Sequence, residues 1–174
     1  MLTQYDASAE HDALLARWWV KLTTDGDLGR LFCPSHHTLA PLMRMMQRPN
    51  AMVFEADAGG IWFAQWFEAL MGTVFTGVWV ARERRGGRAA VRLALDAHER
   101  VLQKSPTVMG VTCQERLLRL YERMGYTVLG RVPGLWDGAE TDAWLVMLTR
   151  PAFVRVLRRH RLVSVALEEA VANG

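Results

Sequence analysis

The alternation of apolar and polar positions along the chain predicts short strands interleaved with amphipathic helices. Leu2 to Ala7 reads as a first strand, and Ser8 as the cap of a helix with Glu10 and Asp12 in its first turn. In that helix Leu14, Leu15, Trp18, Trp19 and Leu22 recur every three or four residues, which makes one buried face, and Asp25-Gly26-Asp27 ends it. A loop with Cys33, Pro34, His36 and His37 leads to a short helix from Leu39 to Gln47, closed by Pro49-Asn50. Ala51 to Ala56 and Ile61 to Leu70 read as strands joined by a turn at Asp57-Ala58-Gly59-Gly60. In the second of them Trp62, Ala64, Trp66, Glu68 and Leu70 share one face, and Ile61, Phe63, Gln65, Phe67 and Ala69 the other. Both faces are apolar, as in a strand covered on two sides.

Thr73 to Val80 is a further strand, and a charged turn, Arg82-Glu83-Arg84-Arg85-Gly86-Gly87-Arg88, separates it from a helix running from Ala89 to about Lys104. Ala90, Leu93, Ala94, Ala97 and Val101 mark the buried face of that helix, and Ser105-Pro106 stops it. Val108 to Thr112 then completes a βαβ unit, whose right-handed crossover would set its two strands parallel. A helix from Gln114 to Met124 turns Leu117, Leu118, Tyr121 and Met124 inward, with Gly125 at its end. Tyr126 to Val132 and Asp142 to Thr149 form an antiparallel pair. Pro151 opens a last helix that sets Arg155, Arg158, Arg159 and Arg161 beside Phe153, Val156, Leu157, Val163 and Leu167. This is the pattern of a surface helix docked by its apolar face; contact with a membrane or nucleic acid is the alternative.

A length of 174 residues suits one domain, and 51% hydrophobic against 22% charged residues excludes the disordered class. Charge sharpens the picture. Residues 1–80 carry five Lys or Arg against eight Asp or Glu, whereas residues 81–174 carry sixteen against ten, nearly all arginine, since Lys21 and Lys104 are the only lysines. Arginine suits planar recognition of phosphate or carboxylate, so an anionic ligand on the second half is one reading and a solvated basic surface the plainer one. Cys33 and Cys113 have no metal-ligand spacing and no disulfide pattern, and the N-terminus lacks a basic segment followed by an apolar core. A cytoplasmic location is expected. Between Ala58 and Ala81 the only charge is Glu68, but that carboxylate would cost roughly 2.5–3.5 kcal/mol in a bilayer, and Gly59, Gly60, Gly72 and Gly77 interrupt the segment. Two buried strands explain it better than a membrane span. The seven tryptophans exceed ordinary core needs, so some are expected at a ligand site or a subunit contact, as in a homodimer.

The turn before the third helix carries candidate chemistry. Adjacent glycines let the backbone approach a ligand, and the free N–H groups of the helix that follows present the positive end of its dipole, an arrangement suited to a phosphate. An ordinary strand-to-helix connection is the alternative. His36 and His37 have no third ligand spaced near them, which favours polar loop residues, and no metal is expected.

Two local patterns carry a resemblance. The first is Arg84-Arg85-Gly86-Gly87-Arg88-Ala89 between a strand and a helix, and the second is Leu120-Tyr121-Glu122-Arg123-Met124-Gly125-Tyr126. In their order and surroundings they resemble the GNAT superfamily of acyl-CoA-dependent N-acyltransferases, over residues 1–150, with residues 151–174 as a basic amphipathic helix packed on that domain. The resemblance implies an α/β (α+β) GNAT fold: a mixed, mostly antiparallel central sheet of about six to seven strands, helices on both faces, and a C-terminal helix extension. It also implies acetyl-CoA as cofactor. The pyrophosphate would be held at Arg84 and by the backbone N–H groups of Arg85, Gly86, Gly87, Arg88 and Ala89. The pantetheine arm would pair with the strand end at Trp79, Val80 and Ala81, next to a splayed strand at Val108 to Thr112. Gln114 stands where the family often has Asn, and Leu117 where it often has a small residue, so the cofactor contacts on that side depart from the pattern.

Tyr121 matches the family tyrosine that protonates the departing thiolate of coenzyme A, with a hydrogen-bonded core tyrosine as the alternative. The strand before the turn offers no carboxylate to take the proton of the amine. Glu68 is the substitute, because burial beside Trp62 and Trp66 would raise its pKa; a purely structural glutamate is equally consistent. Glu55, His36 and His37 are further candidates. Acceptor recognition would fall to His36 and His37 and to Trp136, Asp137, Glu140 and Asp142, whose carboxylates would attract a cationic amine. The expected activity is transfer of acetyl to a primary amine, of a small molecule or a protein, by direct attack. The alternatives are a GNAT-fold binding or structural protein without transfer chemistry and a nucleic-acid-modifying GNAT-like protein.

Overall fold

The computed structural model describes residues 2–5, 9–27, 40, 44, 51–56, 60–67, 73–82, 85, 88–134 and 142–159. The chain forms two compact units, Met1–Gln65 with Gly77–Ala97, and Trp66–Thr76 with His98–Gly174. Strands are β1 (Leu2–Tyr5), β2 (Ala51–Ala56), β3 (Gly60–Phe67), β4 (Thr73–Val80), β5 (Thr107–Thr112), β6 (Thr127–Val132) and β7 (Ala143–Thr149). The helices are α1 (Ala9–Thr24), α2 (Arg88–Lys104), α3 (Leu118–Arg123) and α4 (Arg150–Arg159). The unit boundaries fall within β3, β4 and α2. No helix among the described residues is long and apolar enough to cross a membrane.

In the first unit β1 pairs antiparallel with β2, from Leu2↔Ala56 to Tyr5↔Val53, and β2 with β3, from Ala51↔Gln65 to Ala56↔Gly60. Of the stripe its spacing predicts, helix α1 buries Leu14, Leu15, Trp18 and Leu22, while Trp19 is half-buried and Val20 is exposed. Its last turn closes as a Schellman motif on Gly26, at φ +69°. The Gly26 N–H donates to the Thr23 carbonyl at 3.2 Å and the Asp27 N–H to the Leu22 carbonyl at 2.9 Å.

The second unit is built on β5. It pairs parallel with the first half of β4, from Thr73↔Thr107 to Thr76↔Gly110, and antiparallel with β7, which in turn pairs antiparallel with β6. The described pairings make a mixed, mostly antiparallel sheet. Val108, Val146 and Leu148 point inward and meet a core with Val101 and Leu102 of α2 and Phe153 and Leu157 of α4. Arg150 opens α4, its N–H donating to the Pro106 carbonyl at 2.9 Å and its Nε to the Leu102 carbonyl at 2.5 Å. The apolar face expected for the last helix is buried through Phe153, Val154, Val156 and Leu157, and Arg155, Arg158 and Arg159 are exposed.

Two elements differ from the sequence reading. The helix expected over Gln114 to Met124 is a 3-10 turn, Glu115–Leu117, followed by the short α3. Gln114 is extended (φ −107°, ψ 93°), and the Leu117 N–H reaches the Gln114 carbonyl at 2.9 Å, so the chain tightens before it becomes α-helical. The strand expected to reach Leu70 is described only to Phe67; residues 68–72, including Glu68, lie outside the described residues, as do His36 and His37.

Helix α3 ends as α1 does. Gly125, at φ +91°, donates to the Glu122 carbonyl at 2.9 Å, and the Tyr126 N–H donates to the Tyr121 carbonyl at 3.0 Å, a second Schellman motif. The two glycines differ in surroundings. A Cβ on Gly26 would meet nothing within 4 Å, whereas one on Gly125 would stand 2.9 Å from Val156 Cγ2 and 3.3 Å from the Ala152 carbonyl. Gly26→Ala should therefore cost about 1–2 kcal/mol, the left-handed backbone penalty alone. Gly125→Ala should cost roughly 2–4 kcal/mol, because a clash with α4 adds to that penalty. Denaturant unfolding of the two variants checks the order; equal losses would mean that α4 gives way.

Candidate functional site

The first group of candidate residues gathers around Asp27. As the residue after Gly26, it is turned inward by the Schellman motif and is 4% exposed. Its Oδ2 accepts a hydrogen bond from Trp79 Nε1 at 3.0 Å and one from Arg85 Nη2. Arg85 also donates through Nε to the Val80 carbonyl at 2.9 Å, and its backbone N–H reaches the Arg82 carbonyl at 3.3 Å. Arg82 Nη2 donates to the Asp25 carbonyl at the end of α1. A buried carboxylate is tolerable only when paired and hydrogen-bonded, and here a guanidinium and an indole supply the donors. Trp79 is held on its other side by Trp18, with ring centroids 4.5 Å apart and planes at 79°.

The turn after β4 is thus folded back on the strand end by Arg85. Trp79, Val80 and Arg85 are brought together, with Ala81 buried beside them in the chain. Arg88 and Ala89 are the first two residues of α2, which has no acidic side chain in its first turn. Arg84, Gly86 and Gly87 lie outside the described residues.

The second group follows β5. Thr112 Oγ1 accepts the Gln114 N–H at 3.1 Å, and Gln114 Oε1 accepts two hydrogen bonds from Arg116, at 2.9 and 3.3 Å. The Gln114 side chain is engaged by its own turn. Tyr121 and Tyr126 occupy the two positions of the second Schellman motif whose side chains normally meet, and their rings pack edge to face, 5.1 Å apart at 77°. The Tyr126 hydroxyl shares a hydrogen bond with His98 Nε2, deep in the core: His98 is 1% exposed and Tyr126 4%.

Burial raises the Tyr121 phenol above its ordinary value of 10.0, and the nearby Cys113, charged at high pH, pushes the same way. Burial and then Tyr121 raise Tyr126 well above that value. Both phenols are therefore protonated at neutral pH and act as donors. That is the state a proton donor to a thiolate needs.

On the side expected to meet an acceptor, Asp142 is paired with Arg131 of β6, whose Cζ also lies 5.6 Å from the centre of the Trp144 ring. The one described member of the expected acidic group is already neutralised by a neighbouring strand. Trp136, Asp137 and Glu140 lie outside the described residues. Glu55 is on β2, opposite Thr3 and Ile61. Among the described residues no group of three or more His, Cys, Asp or Glu is placed to hold a metal ion.

Three residues of these groups escaped the sequence reading. Asp27 reads as a turn former after α1, Tyr126 as the aromatic that follows a glycine, and His98 as one more position on α2. Only the glycine spacing signalled the first two, because a Schellman ending turns the residue after the glycine inward.

No family model matches the chain, and no curated protein does. Its structure is similar to Mycobacterium smegmatis RimJ in complex with CoA-disulfide (TM-score 0.66, 17% identity, 99% of this chain and 89% of that one). It is also similar to an aminoglycoside 6'-N-acetyltransferase complexed with coenzyme A (TM-score 0.65, 14% identity, 86% and 96%). A third similar structure is a chimera of spermidine N-acetyltransferase SpeG from Vibrio cholerae and hSSAT (TM-score 0.63, 13% identity, 88% and 98%). The fold of this chain is that of the GNAT acetyltransferases.

Proposed function

We propose that the chain is an N-acetyltransferase that moves acetyl from acetyl-CoA to a primary amine by direct attack. The observation that carries this reading is Tyr121: a phenol that is protonated at neutral pH and that burial moves further from ionisation, two turns past the end of β5, in a chain with a fold whose solved examples include coenzyme A complexes. In this reading the backbone N–H groups of Arg85 to Ala89 and the first turn of α2 hold the pyrophosphate, aided by the dipole of a helix seventeen residues long. Trp79, Val80 and Ala81 present the strand end to the pantetheine arm. The Val80 carbonyl itself is taken by Arg85 Nε.

The chemistry then balances as follows. Glu68, or water held by it, takes a proton from the acceptor ammonium; the freed amine nitrogen bonds to the acetyl carbon, and the carbon–sulfur bond breaks. Tyr121 gives its proton to the departing thiolate. Donation of this kind is worth about 10²–10⁴ in rate.

Two outcomes test the proposal. Acetyl-CoA at a hundred times its Kd should stabilise the protein by about 2.7 kcal/mol, which for a chain of this size is roughly 5–10 °C in Tm, and Gly87→Glu should abolish the shift by crowding the phosphate site. No shift at millimolar acetyl-CoA would sink the reading. Tyr121→Phe should lower kcat at least about tenfold with little change in KM for acetyl-CoA, in an assay of thiol release over a panel of amines. Because the phenol is raised above 10.0, its proton is present throughout the range where the amine deprotonates. Activity should therefore rise with pH and not fall again below pH 10 on account of Tyr121; a fall near pH 8 that Tyr121→Phe removes would contradict the assignment.

A further inference from the structure

We propose that His98 and Tyr126 are positioning residues for Tyr121, their buried hydrogen bond fixing the ring on which the Tyr121 phenol rests. The proposal deepens the reading of Tyr121 as proton donor and rests on it. The arrangement has three parts, all within the second unit. The Schellman motif fixes the backbone of Tyr121 and Tyr126 relative to each other but leaves the side-chain torsions free. The hydrogen bond to His98 Nε2 then pins the far end of the Tyr126 ring, which sets the axis of that ring. Around this axis the rings of Tyr121 and His98 meet Tyr126 edge to face, at 5.1 Å and 77° and at 5.5 Å and 90°, so its plane is set from two sides.

His98 is itself braced. It sits on α2 and is 1% exposed, with its ring 5.9 Å from Phe153 of α4 at 34°. Helix α4 also closes on the motif, since Val156 and the carbonyl of Ala152 crowd Gly125. Three helices thus converge on one tyrosine that needs a defined angle. A purely structural account fits less well. An apolar pair of the same shape would fill this space at no loss of stability, whereas a buried imidazole and a buried phenol each require a hydrogen-bond partner. What the polar pair adds is orientation.

The chain has only three tyrosines, Tyr5, Tyr121 and Tyr126, so tyrosine labelled with ¹³C at Cζ gives three lines, assigned by single Phe substitutions. Tyr126→Phe keeps the ring and removes the hydrogen bond; His98→Leu removes it from the other side; His98→Gln can still bond the Tyr126 hydroxyl. The Tyr121 line should shift or broaden in Tyr126→Phe and His98→Leu and stay near its native position in His98→Gln. Thiol release from acetyl-CoA, with spermidine, kanamycin and a lysine peptide as acceptors, should show kcat down about tenfold in the first two variants, KM for acetyl-CoA unchanged, and recovery in His98→Gln. In a Tyr121→Phe background Tyr126→Phe should cost nothing more. A Tyr121 line unmoved by either disruptive variant overturns the proposal, as does an equal further loss of kcat in the Tyr121→Phe background. A Tyr121 line that coenzyme A leaves unmoved, or full activity in Tyr121→Phe, overturns the donor reading first and the positioning proposal with it.

Discussion

Two helices in this chain must stop, and each stops on a glycine whose backbone enters the left-handed region. The constraint is local, yet both groups of candidate residues depend on it. A Schellman ending closes the last carbonyls and turns the residue after the glycine back toward the helix's final turn. At α1 that residue is Asp27, and at α3 it is Tyr126. The turn at Gly26 brings the Asp27 carboxylate to Trp79 and Arg85, and the turn at Gly125 brings the Tyr126 ring to Tyr121. The glycines touch none of the reacting chemistry. They decide where it can be.

Each handed-over side chain then becomes the polar centre of an otherwise apolar neighbourhood. Asp27 meets Trp79, itself packed on Trp18, and Tyr126 meets Tyr121 and His98, whose ring packs on Phe153. In such surroundings an unpaired polar atom costs about 1–3 kcal/mol, which makes a partner nearly obligatory. For Asp27 the partners are an indole and a guanidinium, for Tyr126 an imidazole. The same low dielectric that makes these pairs necessary raises the Tyr121 phenol further above its ordinary value.

Much of this was legible in the sequence because it is periodic. The stripe of α1, the strand Thr73 to Val80, the helix behind the turn and the Tyr121 to Tyr126 spacing all appear as regular recurrences, and the fold follows from them. What was not legible is side-chain direction at irregular positions. Arg85 reads as a phosphate ligand because it stands beside two glycines, yet its guanidinium turns inward to Asp27, 58 residues earlier. Asp25-Gly26-Asp27 reads as a polar helix stop, and nothing local says that one of its carboxylates is buried and the other lies at the edge. His98 follows Ala94 and Ala97 on the inner face of α2, where an isolated histidine gives no periodic signal. The 3-10 turn at Glu115–Leu117 was hidden for a similar reason, because its apolar spacing suits an α-helix and only the extended Gln114 forbids an earlier start.

The arginines bear on what the basic half of the chain is for. Arg82 and Arg150 cap carbonyls, Arg85 and Arg131 pair with carboxylates, Arg116 holds Gln114, and Arg92 lies 3.9 Å from Asp96. Each is a forked donor meeting an acceptor that the fold itself presents, which is a use of arginine that lysine serves poorly. Internal pairing of this kind accounts for these six arginines. It also shifts the burden of anion recognition at the turn. With the Arg85 guanidinium spent on Asp27 and Val80, the proposed phosphate contacts rest on backbone N–H groups and the start of α2.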